Sequence, residues 1–353
     1  MSHSFPKAAF WSSAAALLAA ALYSGAWFFM ATTLRTQAEL WFEARQQDGV
    51  TITSGAGSLT GFPGRIGVTF PGFTISAPPA ADSSGAWSWR SKTLRLFMHP
   101  LSFQNIFVDL HGSHTLTGLR DTTLVMTLAE GEARFTFTVD RLTHATLDIS
   151  GLVGTWQSEP EAFFSVEKAT TAIEIPVPKD GALPVIHTNI AVTNVTLPDV
   201  LPQPLSRTLQ NARVDLDIKG PVTSGSLPEV LDVWRRAGGD MDIRGFEAVW
   251  SPISAMGDGT IALDRDLQPM GAFTAKVRGF LHVVDMLVAD GRMKNSEASI
   301  ARGVLSLLAK RPSDGAEPEL SLAVTVQDRT VYAGPVTLME LPAIKWHANV
   351  VVP

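Results

Sequence analysis

The chain has 353 residues, of which 45% are apolar and 18% are charged, and it contains no cysteine. This apolar content is enough to bury a core and excludes an intrinsically disordered chain. The lack of cysteine excludes disulfides, thiol nucleophiles, cysteine-ligated zinc and a lipid-modified N-terminal cysteine. Without Lys7 and Arg35, the 28 basic residues fall to 26 against 34 acidic ones, a net charge of −8. Such a charge argues against nucleic acid as a partner.

The N-terminal segment carries no charge between Lys7 and Arg35. A bilayer-spanning helix needs about 20 apolar residues, and Trp11 and Trp27 stand near the two ends of this run, where aromatic rings favour the interface. We therefore predict a membrane anchor over residues 1–35, retained as an uncleaved signal anchor, with the helix continuing to Gln46. A signal peptide cleaved after the small residues 19–21 is the alternative, but apolar sequence continues for about ten residues beyond them.

The remaining sequence alternates between apolar and polar residues at period two, which is typical of half-buried strands. Turn signals such as Pro71-Gly72 and Gly220-Pro221 separate these segments, and few helical segments lie between them. Short strands without crossover helices predict antiparallel meanders. The clearest strands are 66–70, 124–128, 133–139, 212–218 and 320–326.

Three helices are predicted in the C-terminal half. Ser226–Arg236 begins with a Ser cap and a Glu three residues later and ends before Gly238-Gly239. The other two are Phe280–Val288 and Glu297–Lys310. The apolar side chains of the last helix have helical spacing and are predicted to be packed core; they are Ile300, Val304, Leu307 and Leu308.

The sequence thus predicts a mainly β (α+β) protein, with an N-terminal transmembrane helix followed by curled antiparallel sheets and a few helices in the C-terminal half. The proline-rich segment 176–205 resembles a junction. We therefore divide the body into an N-terminal β-rich subdomain, residues 36–180, and a C-terminal β-rich subdomain with helices, residues 181–353.

No catalytic or metal motif emerges from the polar residues. His111 and His114 are three apart, so on a strand they face opposite sides and do not converge on a metal. The acidic group Asp258, Asp264 and Asp266 lacks the spacing of a calcium loop and indicates a hairpin turn over 264–269. There is no Gly-x-Ser-x-Gly nucleophile elbow. We therefore predict no enzyme activity, no cofactor and no metal.

Four local strings carry a family resemblance: residues 61–65 (Gly-Phe-Pro-Gly-Arg), 234–239 (Trp-Arg-Arg-Ala-Gly-Gly), 259–271 and 332–335. They resemble the family known as domain of unknown function 2125, whose members are uncharacterised, mostly alphaproteobacterial envelope proteins. The resemblance implies an inner-membrane anchor with a β-rich periplasmic domain, and it supplies no catalytic residues. The strand–turn–strand pattern also resembles, more weakly, envelope proteins of the AsmA type.

Two functional hypotheses follow. In the first, the protein binds or handles lipid, because a curled sheet of this size has an apolar face too extensive for a few helices to cover. In the second, it is a structural or interaction module of the cell envelope that docks onto other envelope proteins. The predicted wall of the lipid groove is Phe70, Phe135, Phe137, Val214, Leu216 and Ile218.

Overall fold

The computed structural model of the protein describes four helices and nineteen strands. The residues it describes are 7–352 except 48, 78–85, 120–121, 140, 158–159, 178–183, 199–205, 290, 292, 311–316, 335 and 347–350. The helices are α1 Lys7–Gln47, α2 Leu227–Arg236, α3 Phe280–Ala289 and α4 Asn295–Leu308. The strands are β1 Thr51–Thr53, β2 Ser58–Thr60, β3 Ile66–Ala77, β4 Trp87–His99, β5 Ser102–Asp109, β6 Gly112–Leu119, β7 Thr122–Thr138, β8 Arg141–Gln157, β9 Ala162–Glu174, β10 Val185–Thr196, β11 Thr208–Lys219, β12 Gly225–Ser226, β13 Asp240–Trp250, β14 Ile253–Leu263, β15 Pro269–Arg278, β16 Leu320–Gln327, β17 Thr330–Ala333, β18 Val336–Glu340 and β19 Val351–Val352.

Seventeen of the strands form one antiparallel sheet, and β12 and β19 form a separate pair. The short strands β1 and β2 both pair with β3, and β5 and β6 both lie between β4 and β7. From β7 onward each strand of the sheet pairs with the next along the chain, up to β18. The predicted mainly β fold with curled antiparallel sheets and an N-terminal apolar helix is confirmed.

The sheet continues across the proline-rich segment. Strand β10 follows this segment's first prolines, yet it pairs with β9 from His187↔Glu174 to Thr196↔Ser165. Its other side pairs with β11 along its full length. The residues on either side of position 180 therefore share one hydrogen-bonded sheet.

Helix α1 has two different environments along its length. From Trp27 onward, one stripe of side chains is buried against β1, β2 and β3. The spacing of this stripe, four or three residues at each step, keeps its members on one side of a helix. Its members are Trp27, Ala31, Leu34, Ala38 and Phe42, and they pack with Ile66, Val68, Phe70 and Phe73 of the sheet.

The first part of α1 is long and apolar enough to cross a membrane. The twenty residues from 7 to 26 precede the first residue of the buried stripe, and at 1.5 Å per residue they measure about 30 Å, the thickness of a bilayer's hydrocarbon core. The helix ends at Gln47, one residue beyond the predicted end. It therefore continues as one element from the apolar segment, past residue 35, onto the sheet.

The strand ends form two opposite edges of the sheet, which we name from α1. The anchor-side edge, where the N-terminal half of α1 leaves the sheet, holds the β2–β3 loop and the β4–β5, β7–β8 and β9–β10 connections. The distal edge holds the β6–β7, β8–β9 and β13–β14 connections and the α3–α4 hairpin, which joins β15 to β16.

The C-terminal helices lie where the sequence predicted them. The cap of α2 is confirmed, because the Glu229 carboxylate accepts hydrogen bonds from the Ser226 backbone N–H (3.1 Å) and hydroxyl (2.7 Å). Gly238 follows α2 with φ of 75° and donates its N–H to the Arg235 carbonyl, as in a glycine C-cap.

The prediction that the apolar stripe of α4 is packed core is wrong. Helices α3 and α4 pack against each other, and α4 buries Ala298 on that side. An ion pair between Asp285 and Arg302 (2.7 Å) joins the two helices. The apolar stripe lies on the exposed side of α4 and consists of Ile300, Val304, Leu307 and Leu308. Helical spacing identified the apolar side of α4 but carried no information on what covers it.

The packing of α1 on the sheet predicts that Trp27→Ala destabilises the fold. Trp27 is 2% exposed, and its indole N–H donates to the Arg65 carbonyl at 3.1 Å. Removing a buried Trp side chain costs about 3–5 kcal/mol, so we expect a loss of this size in the free energy of unfolding. Urea unfolding of the full chain in detergent micelles measures it.

The matched control is Phe29→Ala, because Phe29 lies two residues away on the exposed side of the same helix. We expect this variant to remain within about 0.5 kcal/mol of the wild type. Equal losses for the two variants would contradict the assignment of Trp27 to the core.

Candidate functional site

Strand register separates the sheet into two chemically different faces. Residues directly opposite each other in neighbouring strands point to the same face. One such row crosses twelve strands, and Thr171 is its only polar member. The row is Val68, Leu96, Val108, Ala133, Leu147, Thr171, Ile190, Val214, Phe246, Gly257, Ala275 and Leu322. We call the face that contains it the apolar face.

The opposite side, which we call the polar face, carries most of the sheet's charged side chains. Its rows alternate with those of the apolar face because successive residues of a strand point in opposite directions. One row, from β7 to β16, consists of Glu132, Asp148, Thr170, Ala191, Arg213, Glu247, Met256, Lys276 and Ser321. The sheet is therefore amphipathic over its whole width.

The structure places the predicted groove residues on this apolar face. Phe135 lies one row from Ala133, and Phe137 lies two residues further along β7, next to the anchor-side edge. Val214, Leu216 and Ile218 alternate along β11. These five side chains are half-buried.

Phe70 is different, because the protein's own helix covers it. Its ring lies 5.1 Å from that of Phe42 on α1, centroid to centroid, and the residue is almost fully buried. Phe70 thus belongs to the packed core beneath α1, at the end of the same face.

The cover over the apolar face is uneven. In the described part of the chain, α1 packs on β1–β3, α3 packs on β14 and α4 on β16. The strands from β7 to β13 make their main contacts with neighbouring strands of the same sheet, and no described helix makes comparable contacts with them. The middle of the apolar face is therefore the part that no helix covers among the described residues.

The total surface agrees with an incompletely covered sheet. The protein exposes 21463 Å², whereas a compact monomer of its 37.9 kDa exposes about 13,900 Å² by the usual scaling of surface with mass. One protruding helix, about 30 Å long and 12 Å wide, accounts for only a fraction of the difference. An incompletely covered sheet contributes to this excess.

The polar face satisfies its charges by cross-strand pairing. The Asp217 carboxylate lies 2.7 Å from Nδ1 of His187 and 3.2 Å from Nε of Arg244. The Lys219 ammonium lies 3.1 Å from Asp242, and this hydrogen bond raises the pKa of Lys219 above its ordinary value. Pairs of this kind on an exposed face contribute modestly to stability and favour solvent over a lipid environment.

A cleft on the polar face was not predicted from the sequence. It has a volume of about 370 Å³ and lies beside a β-bulge at Arg244-Gly245, where β13 pairs irregularly with β14. A glycine inside a strand signals such a bulge, and Gly245 was the available clue. The cleft's charged walls are balanced, with three basic side chains, Arg213, Arg244 and Lys276, and three acidic ones, Asp215, Glu247 and Asp258. Glu247 faces Arg213 across the β11–β13 pair. The cleft therefore has no net charge with which to attract an ion.

The histidines and acidic residues considered for metal binding are used in other ways. His114 is buried, stacks on Trp89 and lies 2.7 Å from the Leu110 carbonyl through Nε2. Nδ1 of His111 lies 2.7 Å from the Ala129 carbonyl. Within the described residues, no group of three or more His, Asp or Glu side chains is placed to hold a metal.

The predicted turn over 264–269 is present, and it holds a distant part of the chain. The Asp264 carboxylate accepts the backbone N–H groups of Asp266 and Gln268, both at 2.8 Å. The Gln268 side chain then binds the backbone of Ile344 twice, accepting its N–H (2.8 Å) and donating to its carbonyl (3.1 Å). Asp264 therefore stabilises a turn whose Gln268 side chain binds the C-terminal segment.

The glycine string at residues 61–65 forms the contact between the sheet and α1. The Tyr23 hydroxyl donates to the Pro63 carbonyl, and the Trp27 indole N–H donates to the Arg65 carbonyl. Phe62 packs edge-on against Trp27, with ring centroids 5.3 Å apart. Sequence reasoning missed these contacts, because only the fold brings residues about 40 positions apart together.

A second string, beginning at Gly259, has a packing role on the apolar face. A Cβ at this position would lie 2.5 Å from the Phe273 ring and 2.6 Å from the Ala272 carbonyl oxygen. The absence of a side chain at Gly259 therefore lets the Phe273 ring pack directly against the backbone of β14.

The polar face predicts a pH-dependent contribution to stability. Hydrogen bonds from Arg213 and then Asn189 hold the pKa of Asp215 below its ordinary value. Because the carboxyl has a lower pKa in the folded chain than in the unfolded one, its stabilising effect is present above the ordinary pKa of about 4 and is lost as the pH falls through the lowered pKa. We therefore expect Asp215→Asn to weaken the acid dependence of the urea midpoint.

The control for this measurement is Lys276→Gln, on the same face but without a role in lowering the pKa of Asp215. We expect this variant to keep the acid dependence of the wild type. An Asp215→Asn profile identical to that of the wild type would contradict the assignment.

Comparison with known proteins identifies a family for this chain but no similar curated protein. No curated protein sequence matches the chain significantly. The resemblance to AsmA-type envelope proteins finds no support in this comparison. The family described as "Uncharacterized protein conserved in bacteria (DUF2125)" matches residues 27–342, beginning at the first buried residue of the α1 stripe. The chain therefore belongs to this uncharacterised bacterial family, the domain of unknown function 2125.

Proposed function

We propose that this protein is anchored in the inner membrane by α1, extends into the periplasm and binds the acyl chains of lipids along the apolar face of its sheet. The observation that carries the proposal is the row of apolar side chains across twelve strands, combined with the lack of extensive helical cover between β7 and β13. We propose no catalytic role and no cofactor.

The size of the open face supports a ligand of this kind. The six strands β7, β8, β9, β10, β11 and β13 have 11 to 17 residues each. At strand spacings of about 4.8 Å and 3.3 Å per residue, they cover on the order of 1,000 Å². Soluble monomers rarely leave apolar patches of more than about 300–600 Å² in contact with water.

The chemistry of the two faces supports the same assignment. An acyl chain needs only apolar contact, and the apolar face supplies branched and aromatic side chains such as Leu216 and Phe135. A charged headgroup needs water or polar partners, which an open face leaves available at its rim. Lipid binding by an open face thus avoids burying the headgroup.

A photo-cross-linking amino acid placed on the two sides of β11 tests the proposal. At Leu216 its side chain lies on the apolar face, and at Arg213 it lies on the polar face of the same strand. We expect irradiation of cells to join lipid to the protein at position 216 and not at 213. Mass spectrometry of the purified adducts identifies what is attached.

Absence of lipid adducts at 216, or equal lipid labelling at the two positions, would contradict the proposal. Leu216→Glu provides a second measurement, because a carboxylate in the middle of the apolar face opposes the binding of acyl chains. We expect it to lose lipid that the wild-type protein retains in native mass spectrometry. Arg213→Glu is its control.

A second candidate function, an interaction module of the cell envelope, has support from α4. Its exposed apolar stripe lies at the distal edge of the sheet, on the far side of the sheet from the N-terminal half of α1. Exposed apolar stripes of this kind are typical of surfaces that dock onto another protein.

Cross-linking from α4 distinguishes this second function. Leu307 lies within the stripe, whereas Ser306 is exposed on the other side of the helix. If α4 docks onto an envelope protein, a photo-cross-linker at 307 yields one defined protein adduct, and the same group at 306 does not. Lipid adducts alone at 307 would contradict docking onto a protein.

A further inference from the structure

Exposed apolar side chains recur at the anchor-side edge of the sheet. Leu101, between β4 and β5, is 97% exposed, and Val139, between β7 and β8, is 89% exposed. The β2–β3 loop presents Phe62, and Phe103 is exposed at the start of β5. Turns in contact with water are normally polar, so four such side chains at one edge need a physical reason.

Three connections at the distal edge are polar in sequence, although the exposed apolar stripe of α4 also lies at that edge. The sequence between β6 and β7 is Arg120-Asp121, and that between β8 and β9 is Ser158-Glu159-Pro160-Glu161. Strands β13 and β14 are joined by Ser251-Pro252. Farther along the anchor-side edge, the turns at 264–268 and 328–329 are charged as well. The exposed apolar side chains of this edge therefore belong to the part of it near α1.

The attachment of α1 fixes where the anchor-side edge lies. Hydrogen bonds from Tyr23 and Trp27 hold the helix to the loop at residues 61–65, and Trp27 is the first member of the buried stripe. Between Lys7 and Trp27, α1 has 19 uncharged residues, which is about the length that crosses the hydrocarbon core. If these residues cross the hydrocarbon core, the helix leaves the core where it attaches to the sheet. The anchor-side edge then lies at the bilayer surface.

The aromatic residues at the attachment have the chemistry of a membrane interface. Trp27, Phe28 and Phe62 form one cluster, with Phe28 stacked on Phe62 at a centroid distance of 6.1 Å. Tyr23 and Trp27 each combine an apolar ring with a bonded polar group, as do aromatic side chains at the headgroup level. Phe28 and Phe62 both keep exposed surface.

We propose that the anchor-side edge rests in the interfacial layer of the bilayer that α1 spans, with Phe62, Leu101, Phe103 and Val139 in contact with lipid. The partner is the lipid bilayer, because α1 places this edge at its surface. This inference requires that α1 cross the membrane. It does not depend on lipid binding by the apolar face.

Site-directed fluorescence tests the proposal, and the absence of cysteine from the chain makes single labelling sites simple to introduce. The full chain is reconstituted into vesicles of phosphatidylethanolamine and phosphatidylglycerol, with one environment-sensitive dye on Phe103→Cys or Phe163→Cys. Both phenylalanines are 59% exposed, but Phe163 lies near the distal edge. We expect nitroxide lipids labelled near the headgroup to quench the dye at 103, with a blue shift, and to leave the dye at 163 unchanged.

A third label, on Leu17→Cys within the N-terminal half of α1, separates the possible failures. Quenching at 17 but not at 103 would overturn docking of the edge while leaving the anchor and the proposed lipid binding intact. No quenching at 17 would overturn the inference together with membrane anchoring by α1. Equal quenching at 103 and 163 would show that the two edges do not differ. Circular dichroism of each labelled variant confirms that these exposed substitutions leave the fold intact.

Discussion

The packing of α1 on the first strands is the interaction on which the arrangement of this protein depends. One stripe of the helix, from Trp27 to Phe42, is buried against the sheet, and the residues before it are apolar on all sides. The helix therefore provides core to the sheet over its second half and a candidate membrane span over its first. Because the two parts belong to one helix, the position of the sheet relative to the span is fixed by packing and not by a linker.

The same packing explains why the apolar face is covered at one end and open in the middle. Near α1, Phe70 lies under Phe42, and the face is an ordinary protein core. Between β7 and β13 no described helix packs on the face, although the register keeps apolar residues pointing to it as far as β16. An amphipathic sheet this wide can exist in an aqueous compartment only if something else contacts the remainder, which is the physical basis for proposing lipid.

Much of the sheet could be predicted from the sequence, because apolar and polar residues alternate along a strand that has one apolar and one polar face. The segment 212–218 is an example, and Val214, Leu216 and Ile218 do share the apolar face. The role of the α1 stripe could not be found in this way. Leu34, Ala38 and Phe42 do have helical spacing, but the spacing does not say which part of the sheet covers them. Strand pairing could not be predicted from the sequence either. Strands β9 and β10 pair with each other, although the proline-rich segment between them suggested a boundary between two subdomains.

The local strings that identify the family turned out to be points of long-range contact. Residues 61–65 hold α1, and Gln268 holds the backbone of Ile344. The composition of residues 264–269 indicated a turn. The partners of residues 61–65 and of Gln268, however, lie about 40 and 76 positions away along the chain. By contrast, the exposure of the α4 stripe follows from how α3 and α4 meet, which no periodicity in either helix specifies.

The unbroken course of α1 has a mechanical consequence. No proline interrupts the helix between Lys7 and Gln47, so it has no hinge of that kind between its two halves. A span in a thinner bilayer adapts by tilting, and here any tilt must be shared by the whole sheet. If α1 spans the membrane as we propose, the angle of the body above the membrane surface follows the local bilayer thickness.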